Sequence, residues 1–432
     1  MRVLLSAYAC HPTAGSDDAV AWGWATQLAR QGVEVWVLTR ELNRPAIEAH
    51  LEKHGAIPGL YFAYHENHAL MPILRRLRAR FRYFYYYAWQ YGAYRVAAKL
   101  HEKTPFDAVH HVTWVQGRSP SFKGRLGIPF ILGPLAGGEA APWPLRGVLG
   151  LRQWTVDLVR DMWTLLARGD PLVRQTYRQA SSIYVATPDS LSLVPAFARP
   201  RARVQLAIAF EPSERIRVRD HAPGPGLKLL YVGRFLGWKG MELGLAAFAQ
   251  LAQTHPASSL TLVGSGPEEG RWRRKAEPLG IADKLEWIAW LPREEVETLY
   301  AHYDALLFPS LHDSGGLVIL EAMSAGLPVV CLDLGGPGVI VDETCGIKIA
   351  AHGRSRPQVE SALGEALLRL AGDASFRARL GAGAVNRSKN FSWSRLFDAV
   401  YGEFINRGQH GTQRPHRGVG SVARTEECSA IT

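Results

Sequence analysis

Two carboxylates eight positions apart, Asp313 and Glu321, stand on either side of the glycine pair Gly315-Gly316. The apolar run 305–308 ends at Pro309, a polar turn opens with Ser310 and closes on the glycines, and a helix follows that stops at Gly326 with Pro328 beyond it. Residues 329–332 then read as a buried parallel strand. Such a unit turns loop amides and a helix N-terminus outward at the carboxyl end of a strand, where open α/β sheets bind anions. Glu321 lies among Leu317, Val318, Ile319, Leu320, Ala322 and Met323. A carboxylate there must find hydrogen-bond partners or suffer a desolvation cost of roughly several kcal/mol. The alternative is a glutamate on a thin exposed stripe.

A second cluster, Gly233 to Gly240, follows a strand at 229–232 and carries Arg234 and Lys239. A guanidinium binding bidentately and an ammonium acting as a point charge suit two bridged phosphates. A solvated basic loop is the alternative. The chain has no Asp-x-Asp, and its His and Cys residues show no metal-ligand spacing. Diphosphate charge would then be neutralised by side chains and helix dipoles, so neither a metal nor a cofactor is expected. Nearer the amino terminus, a strand-like stretch at 106–112 delivers His110-His111 to its end, and Gly15 and Gly137-Gly138 allow close backbone approach. A histidine at a sugar site donates to a hydroxyl, or acts as a base if its pKa stays near about 6.5. Glu139 either binds acceptor hydroxyls or favours a helix start.

These residues need elements to hold them. Residues 3–7, a turn at 13–17, a helix ended by Gly32 and a strand at 33–38 form a first βαβ unit, without the Gly-x-Gly-x-x-Gly fingerprint. Strands follow at 129–132, 182–186 and 204–207. Pro- and Gly-rich residues 211–226 are linker-like. A second βα series opens at 227, with strands at 229–232, 260–263, 285–288, 305–308, 329–332 and 346–349. The expected division is therefore a domain at 1–210, a linker at 211–226, a domain at 227–388, a returning helix at 389–406 and a disordered basic tail at 407–432. At 432 residues the chain exceeds what one core usually serves.

The net charge of +11 favours an anionic partner: nucleotide phosphates, an acidic membrane face or nucleic acid. Four cysteines without paired spacing suit a reducing compartment, and the expected location is cytoplasmic. No apolar run reaches transmembrane length. Residues 71–100 lack acidic side chains and combine Arg75, Arg76, Arg78, Arg80 and Arg82 with Tyr83, Tyr85, Tyr86, Tyr87 and Trp89. They read either as an interfacial helix, peripheral on an anionic inner membrane face, or as a core helix with an arginine-rich edge.

Four stretches resemble the retaining nucleotide-sugar glycosyltransferases of family 4. They are Val-Gly-Arg-Phe-Leu-Gly-Trp-Lys-Gly (232–240), Leu-Val-Gly-Ser-Gly-Pro-Glu (262–268), Phe-Pro-Ser (308–310) and Leu-Glu-Ala-Met-Ser-Ala-Gly-Leu-Pro-Val-Val (320–330). The resemblance implies an α/β chain of GT-B architecture, two facing Rossmann-like domains with a cleft between them. It also implies transfer from a nucleoside-diphosphate sugar to a glycan or lipid-linked acceptor, in cell-surface polysaccharide or glycoconjugate synthesis. By that similarity Glu321 holds the donor ribose, Arg234 and Lys239 hold the diphosphate, and Gly315 and Gly316 donate amides to it and to the sugar. Gly15 lies under the donor phosphate from the opposite domain. Asp313, Arg234, Lys239 and His111 are then the catalytic candidates. The chain departs from the family twice: Asp313 stands where a glutamate is usual, and Val112 stands where the family's catalytic-loop histidine falls, leaving His111 as its substitute. An epimerase or phosphorylase of the same architecture, or a weakly active transferase relic, is the rival reading. No nucleic-acid module is recognisable.

Overall fold

The computed structural model describes residues 1–14, 17–67, 82–114, 116–219, 224–289 and 291–411. Gly15, most of the arginine run at 75–82 and residues 412–432 of the basic tail lie outside them.

Seven strands, β1 (Arg2–Ala7), β2 (Glu34–Arg40), β3 (Leu60–His65), β4 (Ala108–Thr113), β5 (Phe130–Leu135), β6 (Ser182–Val185) and β7 (Ala202–Val204), form one sheet in the order β3-β2-β1-β4-β5-β6-β7. Six more, β8 (Lys228–Val232), β9 (Ser259–Val263), β10 (Leu285–Ile288), β11 (Ala305–Phe308), β12 (Val329–Leu332) and β13 (Gly346–Ile349), form a second sheet in the order β10-β9-β8-β11-β12-β13. The pairings in both are parallel. Helices cover both faces, and this explains why central strands such as β11 and β12 are apolar and buried at every residue rather than alternating.

Each sheet reverses its winding once, between β1 and β4 in the first and between β8 and β11 in the second. At such a point neighbouring crossovers leave in opposite directions and open a crevice at the strand carboxyl ends. The Arg234–Lys239 loop and the Asp313–Gly316 turn leave β8 and β11, so they flank the crevice of the second sheet. His110 and His111 stand on β4, at the reversal of the first.

The sheet edge at β3 carries one buried residue and otherwise half-buried or exposed ones, so it lacks the continuous apolar run of a buried strand. The strand expected at 204–207 forms earlier, as the three-residue β7. The terminal helix runs over Trp393–Gly411, starting and ending later than the expected 389–406. It docks on the first domain: Leu396, Phe397, Val400 and Tyr401 join the core built by β1, β2 and the helix Asp17–Arg30. His110 serves this contact, with Nδ1 2.6 Å from the Tyr401 hydroxyl and Nε2 2.8 Å from the Gly133 carbonyl. No helix among the described residues is long and apolar enough to cross a membrane.

Candidate functional site

Leu229 and Leu230 of β8 lie beside Ala305 and Leu306 of β11, so the two loops leaving these strands meet. Gly233 follows β8 with φ 155°, and the Tyr231 hydroxyl donates to the Arg234 carbonyl at 3.0 Å. That bond anchors the Arg234 backbone while its side chain stays exposed. The chain then makes a 3-10 turn over Gly237–Lys239, closed by Gly240 in the left-handed region at φ 67°. A Cβ at Gly240 would overlap the Pro309 carbonyl oxygen, so only glycine brings this loop against the β11 loop.

The approach joins a basic group to an acidic one. Lys239 Nζ lies 2.7 Å from Asp313 Oδ2, and Ser310 Oγ donates to the same oxygen at 2.6 Å. The ammonium also sits 4.9 Å from the centre of the Phe308 ring. Asp313 thus has its carboxylate held from two sides before any ligand arrives. Its carbonyl accepts from the Gly336 amide at 2.6 Å, and Gly336 packs so closely on the Gly315 backbone that a side chain would not fit. Two glycine turns, one after β11 and one after β12, are stacked here. The second, Gly335-Gly336, was not singled out from the sequence, although it repeats the strand-then-glycine pattern.

Glu321 is buried in the helix Leu317–Ser324, 6% exposed, and accepts from the Tyr300 hydroxyl at 2.9 Å. The exposed-stripe alternative is therefore excluded, and the polar partner that burial demanded is Tyr300. Nothing in the spacing could point to it, since it comes from a separate 3-10 turn, Tyr300–His302.

From the first domain, the loop after β5 brings Glu139 to the same crevice. Glu139 is buried and accepts from the Thr187 and Ser190 hydroxyls at 2.6 and 2.8 Å and from the Gly137 amide at 2.8 Å. No helix starts there; the carboxylate organises its own loop. Asp189 crosses to the second domain, where its Oδ2 accepts from the Gly335 amide at 3.2 Å. His312, beside Asp313, stacks on Trp238 with ring centres 5.3 Å apart, and its Nε2 is 3.7 Å from Asp157 Oδ2 of the first domain. Burial first, then Arg160, Lys239 and Arg146, push His312 down to about 3, so it is neutral.

His111 is placed inside the first domain rather than open at a strand end. Its Nε2 lies 3.2 Å from the Tyr86 hydroxyl and 3.3 Å from Gln90 Nε2. Burial, Lys123 and His110 hold it well below its ordinary value. Tyr86 also donates to the Trp114 carbonyl at 2.9 Å, just past the end of β4, where Trp114 takes φ 53°. Lys123 is buried too, donating to Gln90, and desolvation brings it down to about 7. Gly15, the remaining residue expected at the site, lies outside the described residues.

Two facing parallel α/β domains, with switch-point loops meeting across a cleft, define the GT-B class. Its solved members superpose along nearly the whole chain. Sucrose-phosphate synthase from Thermosynechococcus elongatus gives a TM-score of 0.61 at 18% identity, covering 95% of this chain and all of that one. HepE from Anabaena, solved with UDP and glucose, gives 0.56 at 14% identity, covering 95% and 99%. A model described as "Glycosyl transferases group 1" matches residues 213–384. The D-inositol 3-phosphate glycosyltransferase of Frankia alni is 30% identical over 318 residues, 68% of this chain and 72% of that protein. That of Stackebrandtia nassauensis is 29% identical over 337 residues, 72% and 71% of the two chains. The chain belongs to the group 1 glycosyltransferases.

Proposed function

We propose that this glycosyltransferase moves a sugar from a nucleoside-diphosphate sugar to a glycan or lipid-linked acceptor, with retention at the anomeric carbon and without a metal ion, in making cell-surface polysaccharide or glycoconjugate. The observation that carries this reading is the meeting of Arg234, Lys239, Asp313 and the Gly315-Gly316 turn at one switch point, with buried Glu321 a short helix beyond. Arg234 and Lys239 supply two cations for a diphosphate, and the glycine turn supplies backbone amides. Glu321, oriented by Tyr300, accepts from the ribose hydroxyls. Asp313, held by Lys239 and Ser310, faces the transferring sugar. The HepE complex with UDP makes UDP and UDP-glucose the first ligands to assay, and the relatives' name makes D-inositol 3-phosphate the first acceptor.

In the reaction, the bond from anomeric carbon to diphosphate oxygen breaks and the acceptor oxygen bonds that carbon on the same face. The acceptor proton passes to the departing phosphate oxygen. Asp313 is one methylene shorter than the glutamate usual at its position, and its oxygen Oδ2 is engaged by Lys239 and Ser310, which favours this front-face path over a covalent intermediate. Arg234 and Lys239 then stabilise charge growing on the diphosphate. His111, neutral and buried, acts as a positioning residue through Tyr86 and the Trp114 carbonyl.

Among the described residues no group of His, Cys, Asp or Glu is arranged to hold a metal ion. On the metal-free reading, release of free nucleoside diphosphate should depend on acceptor and continue at full rate in excess EDTA. Loss of turnover on chelation, restored by magnesium or manganese, would refute the metal-free reading.

A further inference from the structure

The helix Leu151–Ala167 is inside out. Its inward face is polar: Asp161 bonds Arg146 at 2.7 Å, Asp157 lies 3.6 Å from Arg160 and 3.7 Å from His312, and Thr164 accepts from Arg118 at 3.4 Å. Its outward face carries Val159, Met162, Trp163, Leu165 and Leu166, with Leu166 68% and Trp163 47% exposed. In a water-facing helix the two sets exchange places. The Asp161–Arg146 ion pair and the burial of Asp157 against neutral His312 of the second domain hold the rotation, so the apolar face stays outward. A continuous exposed apolar face of this kind marks a contact surface.

Behind the face lies a cavity of about 510 Å³ between this helix and the helix Arg82–Lys103. Its walls include Phe84, Tyr87, Trp163 and Leu166, with Arg118 and Asp170 at polar points. Tyr87 already donates to Asp170 at 3.0 Å, which leaves Arg118 as the cationic element of the wall. A mostly apolar cavity of this size with few polar groups suits a small amphiphile. The same helix touches the crevice from its inward side, where Asp157 lies 3.7 Å from His312, next to Asp313.

We propose that the outward face of Leu151–Ala167 seats on an anionic lipid surface and that the cavity behind it takes a hydrocarbon chain of a membrane-borne acceptor. The proposal rests on the lipid-linked branch of the function above. The chain's net charge of +11 complements such a surface, and exposed Arg168 sits at the end of the helix. The segment at 71–100 reads from its sequence either as a membrane-surface helix or as a core helix; its part at 82–100 forms one wall of the cavity, and the inverted helix forms the other.

Flotation of the full chain with vesicles of phosphatidylcholine and phosphatidylglycerol (7:3) at low salt tests this directly. Wild type should float, and the double variant Met162→Glu/Leu166→Glu should lose at least about tenfold in bound fraction, because both side chains are exposed and their replacement leaves folding intact. Ala88→Trp, which fills the cavity, should keep vesicle binding but abolish protection of Trp163 from aqueous quencher by added lauric acid. A wild type that stays at the bottom of the gradient overturns the proposal, as does a wild-type dimer in sedimentation velocity that the double variant dissolves. Thermal shift by nucleoside diphosphates, measured on the same samples, reports separately on the donor site. Its absence would count against the transferase reading while leaving the vesicle result to stand or fall alone.

Discussion

At the scale of single residues, the site divides labour between cations that meet the diphosphate and a carboxylate that meets the ribose. Arg234 carries its side chain into solvent from an anchored backbone, so it is available to charge that develops as the bond breaks. Arg234→Ala should lower kcat by about 10²-fold, with donor KM changed far less, because a donor aimed at developing charge acts mainly in the transition state. Initial-rate kinetics over donor concentration check this, and an unchanged kcat would remove Arg234 from the catalytic set. Glu321→Gln keeps the size of the side chain and a Tyr300 contact while losing charge. It should raise donor KM roughly tenfold with kcat near wild type.

These residues were legible because their signals are local. A carboxylate in an apolar helix, or two cations in a glycine loop after a strand, needs no long-range information. Their partners were not legible: Tyr300 under Glu321, Asp189 on Gly335 and Asp157 by His312 are brought together by folding alone. His111 shows the same limit from the other side. Its place after an apolar run suggested an open strand end, yet β4 continues through Thr113, and alternation turns His110 toward the terminal helix and His111 toward Tyr86 and Gln90.

At the scale of elements, two loops must touch for Lys239 to reach Asp313. Gly240 permits this by combining a left-handed backbone with contact against the Pro309 carbonyl. Gly240→Ala should therefore cost about 2 kcal/mol or more in stability and weaken donor binding together, as the strained residue and the displaced β11 loop act on the same place. Urea unfolding and nucleotide titration of one sample suffice. A variant as stable as wild type would show that the loops tolerate separation. The helix Leu151–Ala167 illustrates what periodicity leaves open. Its pattern is plainly amphipathic, but spacing does not say which face turns inward, and Asp157, Arg160 and Asp161 read as the wet side until their partners Arg146 and His312 are placed.

At the scale of the whole molecule, buried bases set a pH dependence. His110 and His312 are pushed down to about 3, and His111 lies well below its ordinary 6.5, all chiefly by burial. Below about pH 6.5 the unfolded chain takes up protons that the folded chain refuses, so stability is full above that pH and falls as pH drops. Each such histidine contributes a loss approaching about 1.4 kcal/mol per pH unit. Lys123 extends the same sign upward: folded, it sheds its proton near 7, while unfolded it holds it to 10.5, so stability should climb between these values. Urea midpoints at pH 5, 7 and 9 should rise in that order, and Lys123→Met should flatten the upper step. Equal midpoints at pH 5 and 7 would contradict the buried neutral histidines.

The two-sheet α/β architecture was readable from alternating apolar runs and glycine turns because parallel strands buried on both faces leave an uninterrupted apolar signature. The edges of the first sheet were read less well: β3 left no clear signal and β7 forms ahead of the expected 204–207, since both bury little.

The crevice between β8 and β11 is proposed to bind a nucleoside-diphosphate sugar through Arg234, Lys239 and Glu321. A thermal-shift screen of UDP, GDP, ADP and their hexose derivatives in EDTA measures it. At a hundredfold excess over Kd a bound ligand stabilises by about 2.7 kcal/mol. One nucleotide series should give a clear rise in Tm that Lys239→Ala and Glu321→Gln both diminish. No rise with any series, or a rise that both variants keep in full, would contradict it.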